Sequence, residues 1–334
     1  MDWTKGISAS YYMALVDPMT WRDVDKVSIT DGSISRANNG LMESADVDCV
    51  NYQQGIEQWV RIWMDAKQGD DTEHVALFTG LASSPERSLN GTLEKTPLKC
   101  YSVLKPAEDI LLQRGWYAPA GIAGSTLVRQ LLSVTPAPVE VVEGAPAIQT
   151  SIVAEDNESN LTMAQKILDA INWRLKISGD GRITICPKAS DVSGQFDAID
   201  NDIIEPELKI SYDWYDCPNV FRAISDDLTG IARDDSEKSP LSTVNRGREV
   251  WMNESNCDLA DGETLEEYAL RRLREEQQKQ VVISYDRRYI PGIVPTDRVR
   301  LHYPAQRIEG DYEIVSQKIT VGYGSSISEE VIKV

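Results

Sequence analysis

The sequence predicts an α+β protein that is mainly β, with two antiparallel β-barrel domains and an α+β lobe inserted between them. Three observations lead there. Short runs with period-2 alternation fill residues 1–104, where successive side chains of a strand point to opposite faces. An amphipathic helix followed by an Asp-Gly hairpin marks residues 105–205 as a lobe of different character. Strand-like runs then return from 206 to 334, broken by one charged helix at 264–280.

In the first region Ala45, Val47 and Cys49 alternate with Ser44, Asp46 and Asp48, which predicts a strand with one wet face. Ile56–Met64 places Val60, Ile62 and Met64 on one side and Trp59, Arg61 and Trp63 on the other, so both faces are expected to be at least partly covered. Gln68–Asp71 supplies a turn, and His74–Gly80 and Thr92–Val103 supply further strands of a compact antiparallel sheet or barrel. In the lobe, Pro106 opens a short helix with acids in its first turn, where the helix dipole favours them. Ser125–Leu132 predicts a second helix and Thr135–Pro146 an extended crossing segment. Leu161, Ala164, Ile167, Leu168 and Ile171 fall at helical spacing, and Trp173–Ile177 with Arg182–Ile185 flank the turn Gly179-Asp180-Gly181. The last region reads as a small barrel with an added helix: Asn219–Ile224, Arg248–Met252, the helix, Val281–Tyr285, Ile290–Leu301 and a closing hairpin over Asp311–Val334. The helix carries Leu265, Tyr268, Ala269 and Leu273 on one side and charge pairs at three- and four-residue spacing elsewhere.

With 334 residues the chain can support two or three cores. It holds 53 acidic against 34 basic residues, a net charge of −19, and such a surface repels phosphate backbones. Eight Trp and thirteen Tyr against three Phe favour half-buried and interfacial positions. Five cysteines without CxxC spacing are expected to be free thiols of a reducing compartment. The N-terminus lacks the pattern of a signal peptide, and no run of about 18 apolar residues predicts a membrane span.

Residues that could carry chemistry are scattered. His74 and His302 lie far apart, each in a strand-like run, and are read as structural. No phosphate-binding glycine loop or G-x-S-x-G elbow occurs, and Cys and His never cluster at zinc spacing. Asp226-Asp227 and Asp234-Asp235 are read as a solvated loop rather than an acid dyad, and Asp200-Asn201-Asp202 and Asp180-Gly181 as turns rather than calcium loops. Cys217 has no basic neighbour in sequence to activate it. No catalytic residue, metal ligand or cofactor site is expected.

Asp17-Pro18-Met19-Thr20-Trp21-Arg22-Asp23, Ser33-Ile34-Ser35-Arg36 and Leu41–Asp48 resemble the opening of the baseplate hub proteins of tailed bacteriophages, the XkdQ-like group. Phe78-Thr79-Gly80 with Thr96–Tyr101, the stretch Leu161–Ile185, and Asn219-Val220-Phe221, Ser239–Ser242, Arg248-Glu249 and Ile290–Leu301 continue that resemblance in the family's order. It implies two tail-tube-like barrels within one chain, so that three chains form a homotrimeric ring of pseudo-sixfold symmetry. The ring would join a sixfold tail tube above to a threefold spike or needle below, beside baseplate wedge proteins and the tape measure protein. DNA would pass through its channel without specific binding. The chain would be made in the host cytoplasm and reside in the virion tail, without membrane insertion. Ser44, Asp46 and Asp48 are the expected lumen-facing residues.

Other readings compete with this one. Within the same architecture they are the hub of a contractile injection or secretion system and a siphophage tail-tip protein. From other classes come a cell-wall glycan hydrolase and a carbohydrate-binding module stacking sugars on Trp59, Trp63 or Trp116.

Overall fold

The computed structural model describes the chain apart from residues 38–42, 51, 53–56, 84–87, 91–92, 189–190, 199–203, 213, 226–227, 256, 258, 260–262, 279–280, 323 and 325. Asp200-Asn201-Asp202 and Asp226-Asp227 therefore lie outside the described residues.

The period-2 runs of the first hundred residues become seven strands: β1 (Ser8–Asp17), β2 (Arg22–Ala37), β3 (Ser44–Val50), β4 (Gln58–Gln68), β5 (Asp71–Ala82), β6 (Ser88–Asn90) and β7 (Leu93–Ser102). Pairing runs β1-β4-β5-β7-β3-β2, and β2 pairs back onto β1, so six antiparallel strands close a ring. Met13, Ile34, Val47, Ile62, Phe78 and Leu98 are buried together in one apolar cluster. Gly80 permits the tight crossing of β5 over β7, because a Cβ there would meet the Tyr101 carbonyl oxygen at 2.1 Å.

The lobe follows with α1 (Lys105–Asp109), β8 (Tyr117–Ala118), α2 (Gly124–Leu131), β9 (Val139–Val141), β10 (Ile152–Val153), α3 (Asn160–Ala170), β11 (Trp173–Ile177) and β12 (Ile183–Pro187). The Ser159 hydroxyl caps α3 by accepting from the Thr162 amide at 3.1 Å. The apolar stripe of α3 packs with Val128, Leu132, Trp173 and Ile185 in a second core, which also takes in Val16 and Trp59 of the ring. The lobe thus sits on the outer side of β4, and this is why Trp59 on that face is buried.

The remaining elements are β13 (Val192–Asp197), β14 (Ile204–Tyr212), β15 (Val220–Ser225), β16 (Leu228–Arg233), α4 (Thr243–Arg246), β17 (Trp251–Ser255), α5 (Leu265–Gln278), β18 (Val281–Arg288), β19 (Arg298–Tyr303), β20 (Ile308–Val321) and β21 (Ser326–Lys333). They depart from a second self-contained barrel in two ways. First, β15, β16 and β17 leave the main sheet and form their own three-stranded layer. Leu265, Tyr268, Ala269 and Leu273 of α5 need an apolar platform, and Phe221, Ala223 and Ala232 provide it. Second, β20-β21-β18-β14, with β19 and β13 beside β20, continue the N-terminal ring through β2–β20 as one 13-stranded sheet. Where two separate barrels were expected, the pairing gives a closed ring continuous with a sheet that stays open among the described residues.

Candidate assembly surface

The join between ring and sheet has two faces of opposite character, set by strand alternation. On the inner face Arg36, Gln317, Glu329 and Tyr285 stand opposite one another across β2, β20, β21 and β18. All four are buried. Arg287 Nε and Nη2 grip the Glu329 carboxylate at 2.7 and 2.5 Å, a bidentate pair with both side chains wholly excluded from solvent. Gln317 Nε2 donates to Glu329 at 2.7 Å and to the Ile293 carbonyl at 3.1 Å. Arg36 Nε donates to Glu43 at 2.7 Å, while its Nη2 donates to the Leu77 carbonyl. Burial pushes the Glu43 carboxyl above its usual range, against the pull of Arg36.

The outer face of the same strands is polar and wet. One row runs Tyr101, Ser44, Ser35, Lys318, Ser328, Asp286 across six strands in register. A second runs Lys99, Asp46, Ser33, Thr320, and a third Ser316, Glu330, Ser284, Lys209. The central part forms an open groove of about 770 Å³ whose lining includes Ser44, Glu205, Glu207 and Lys318. Asp46 is exposed and Ser44 and Asp48 half-exposed, so all three share this face, while Ala45, Val47 and Cys49 are buried behind them. The surface is rich in serine and carries both signs of charge.

The lobe is tied to both neighbours. Arg61, buried on β4, donates to Asp23 at 2.7 Å, to the Thr79 hydroxyl at 3.0 Å and to the Asp180 carbonyl at 3.0 Å. Trp21 Nε1 donates to the same carbonyl at 2.9 Å, and the Thr79 hydroxyl donates to the Gly179 carbonyl at 2.8 Å. On the other side Asp297, almost wholly buried, accepts from Arg174 Nη2 at 2.7 Å and Lys176 Nζ at 3.1 Å. The turn read from Asp180-Gly181 is therefore a docking element.

The other residues singled out by sequence do not converge. His74 Nδ1 lies 2.7 Å from Asp65 on an exposed strand edge, and His302 lies 3.6 Å from Glu309 in another part of the sheet. Asp234 accepts from Gln277 at 3.1 Å and Asp235 from the Thr243 hydroxyl, so both brace the layer that carries α5. Burial pushes the Cys49 thiol up to about 12, with the Asp48 charge adding to it, and Cys217 is buried. Neither suits a nucleophile. Trp59 is buried in the lobe core, Trp116 packs against that core, and Trp63 stacks on Tyr12 and donates to Asp23 at 2.8 Å. None of the three presents a free ring to a sugar. Exposed aromatics cluster instead at the end of β14, as Tyr212, Trp214 and Tyr215, which the sequence reading passed over. Their bunching within four residues beside Pro218 was the available signal. Among the described residues no group of three or more His, Cys, Asp or Glu side chains could hold a metal ion, and no helix is long and apolar enough to cross a membrane.

No protein-family model and no curated protein sequence matches the chain. Solved structures do. A tail protein from Neisseria meningitidis MC58 superposes with a TM-score of 0.70 at 12% identity, covering 98% of this chain and 97% of that one. The 43 kDa tail protein of prophage MuSo2 from Shewanella oneidensis gives 0.67 at 13% identity, with 97% and 98% covered. An E. coli component of the type VI secretion system, described as similar to T4 bacteriophage tail proteins gp27 and gp5, gives 0.55 at 9% identity, with 92% and 74% covered. The chain has the fold of phage tail proteins.

Proposed function

We propose that this chain is a structural subunit of a phage tail baseplate, a hub whose copies assemble into a homotrimeric ring around a channel. The observation that carries this reading is the polar outer face. Three overlapping rows of mostly small and charged side chains, one from β7 to β18, one from β7 to β20 and one from β20 to β14, together cover the face across both halves of the chain. A sheet that buries one face and leaves a broad serine-rich face wet suits the wall of a water-filled passage. The acids of the face, Asp46, Asp48, Asp286 and Glu330 among them, oppose adhesion of a polyanion while it slides. Ser44, Asp46 and Asp48 then line the channel, and DNA crosses it without specific binding. The ring stands between a tail tube and a spike or needle, in contact with wedge proteins and the tape measure protein, in the virion tail.

Two further points support a role without catalysis. The histidines, cysteines and acid pairs described above do not converge on one site, and the likeness in fold is to tail proteins over nearly their whole length. Because the same fold occurs in a type VI secretion component, the hub of a contractile injection system is the second reading. Light scattering tests the proposal: a species near three times 37.3 kDa is expected. A reconstruction of the assembled particle that buries Asp46, or turns it to the outside, would overturn the channel assignment.

A further inference from the structure

The polar face has two ends within one chain, and they differ. At one end β7 is backed by β5 and β6, and it presents Lys95 and Lys99 outward. At the other end β14 pairs only with β18 among the described residues, leaving its second edge open. That edge is guarded at its start by Glu205 and Glu207, both exposed, while Ile210 and Tyr212 further along are also exposed. Charges on an edge strand block indiscriminate pairing and leave a complementary surface as the acceptable mate.

Resting on the ring reading above, we infer that β14 of one copy docks beside β7 of the next, Glu205 and Glu207 facing the neighbour's Lys95 and Lys99. Opposite charge selects the pairing, and the polar face supplies the continuity: the neighbour's Tyr101–Ser44 row carries on where Lys209 and Glu207 end. The contact is head-to-tail, which yields a ring rather than a pair where the rotation between copies closes. Within one chain β7 is paired on both sides and only the β14 end is open among the described residues, so the neighbour's β7 meets it through side chains.

The experiment is a charge reversal read by light scattering across a concentration series, with circular dichroism confirming the fold. Glu205→Lys with Glu207→Lys, and separately Lys95→Glu with Lys99→Glu, should each weaken trimer assembly about tenfold or more, because like charges then oppose one another. All four changes in one chain should restore it. Wild-type trimers with unaffected double variants would overturn this contact and leave the ring standing. Double variants that dissociate without rescue by the fourfold variant would overturn β7 as the mate. A wild-type chain that stays monomeric would overturn the ring and the contact together.

Discussion

The N-terminal ring and the C-terminal sheet solve the same problem differently. Both expose rows of backbone donors and acceptors at their strand edges, which must be satisfied. The ring does so internally, by pairing β1 with both β2 and β4. The sheet leans on the ring through β2–β20 and leaves β14 open. The first half is therefore built to stand alone, whereas the second is built to be completed by something else. Their join carries buried charge on one side and solvated charge on the other, along the same strands.

That asymmetry is most severely tested at the seam. Glu329→Ala leaves Arg287 charged, buried and unpaired, which should cost about 3–5 kcal/mol. Hydrogen exchange should then show β18, β20 and β21 opening before the ring strands. A single cooperative loss of both halves would mean that the ring depends on the sheet as much as the reverse. Replacing the pair together, Arg287→Met with Glu329→Leu, should recover most of that loss, since the desolvation of two charges disappears with their attraction. Next in size is Gly179→Ala. The new Cβ would fall 1.8 Å from the Ala76 carbonyl oxygen, so the hairpin turn must lift off β5. Overpacking of this kind costs about 1–3 kcal/mol, and the expected sign is faster proteolysis in the lobe with the ring still protected.

The elements that depend on near neighbours were legible in the sequence. The alternation through Ala45, Val47 and Cys49 is β3, the stripe from Leu161 to Ile171 is α3, and the charged helix expected at 264–280 is α5, Leu265–Gln278, with 279–280 outside the described residues. Pairings between distant segments were not legible. Nothing local says that Ser35 lies opposite Lys318, or that β13 runs parallel to β19, because register between distant strands depends on packing rather than periodicity. Nor was the burial of charge legible: Arg36, Glu43, Arg287 and Glu329 are all buried, each made tolerable by its ion-pair partner. The shared face of Ser44, Asp46 and Asp48 was visible, while its continuation onto β20 and β18 was not.

The smallest effect separates the two halves by pH. Tyr11, on β1 of the ring, donates its hydroxyl to the Gly324 carbonyl in the turn between β20 and β21. Tyr11→Phe removes that tie at about 1 kcal/mol near neutral pH. Burial pushes the Tyr11 phenol from 10.0 up to about 12, and Tyr289 adds to the shift. Below pH 10 folded and unfolded chains both keep the proton, so the contribution is fully present. Between pH 10 and about 12 the unfolded phenol ionises first, and the stabilisation drains away as pH rises. Denaturant midpoints taken through that window should therefore fall less steeply for the Phe variant than for the wild type. Parallel slopes would mean that the Tyr11 phenol is not held in a buried position between the ring and the sheet.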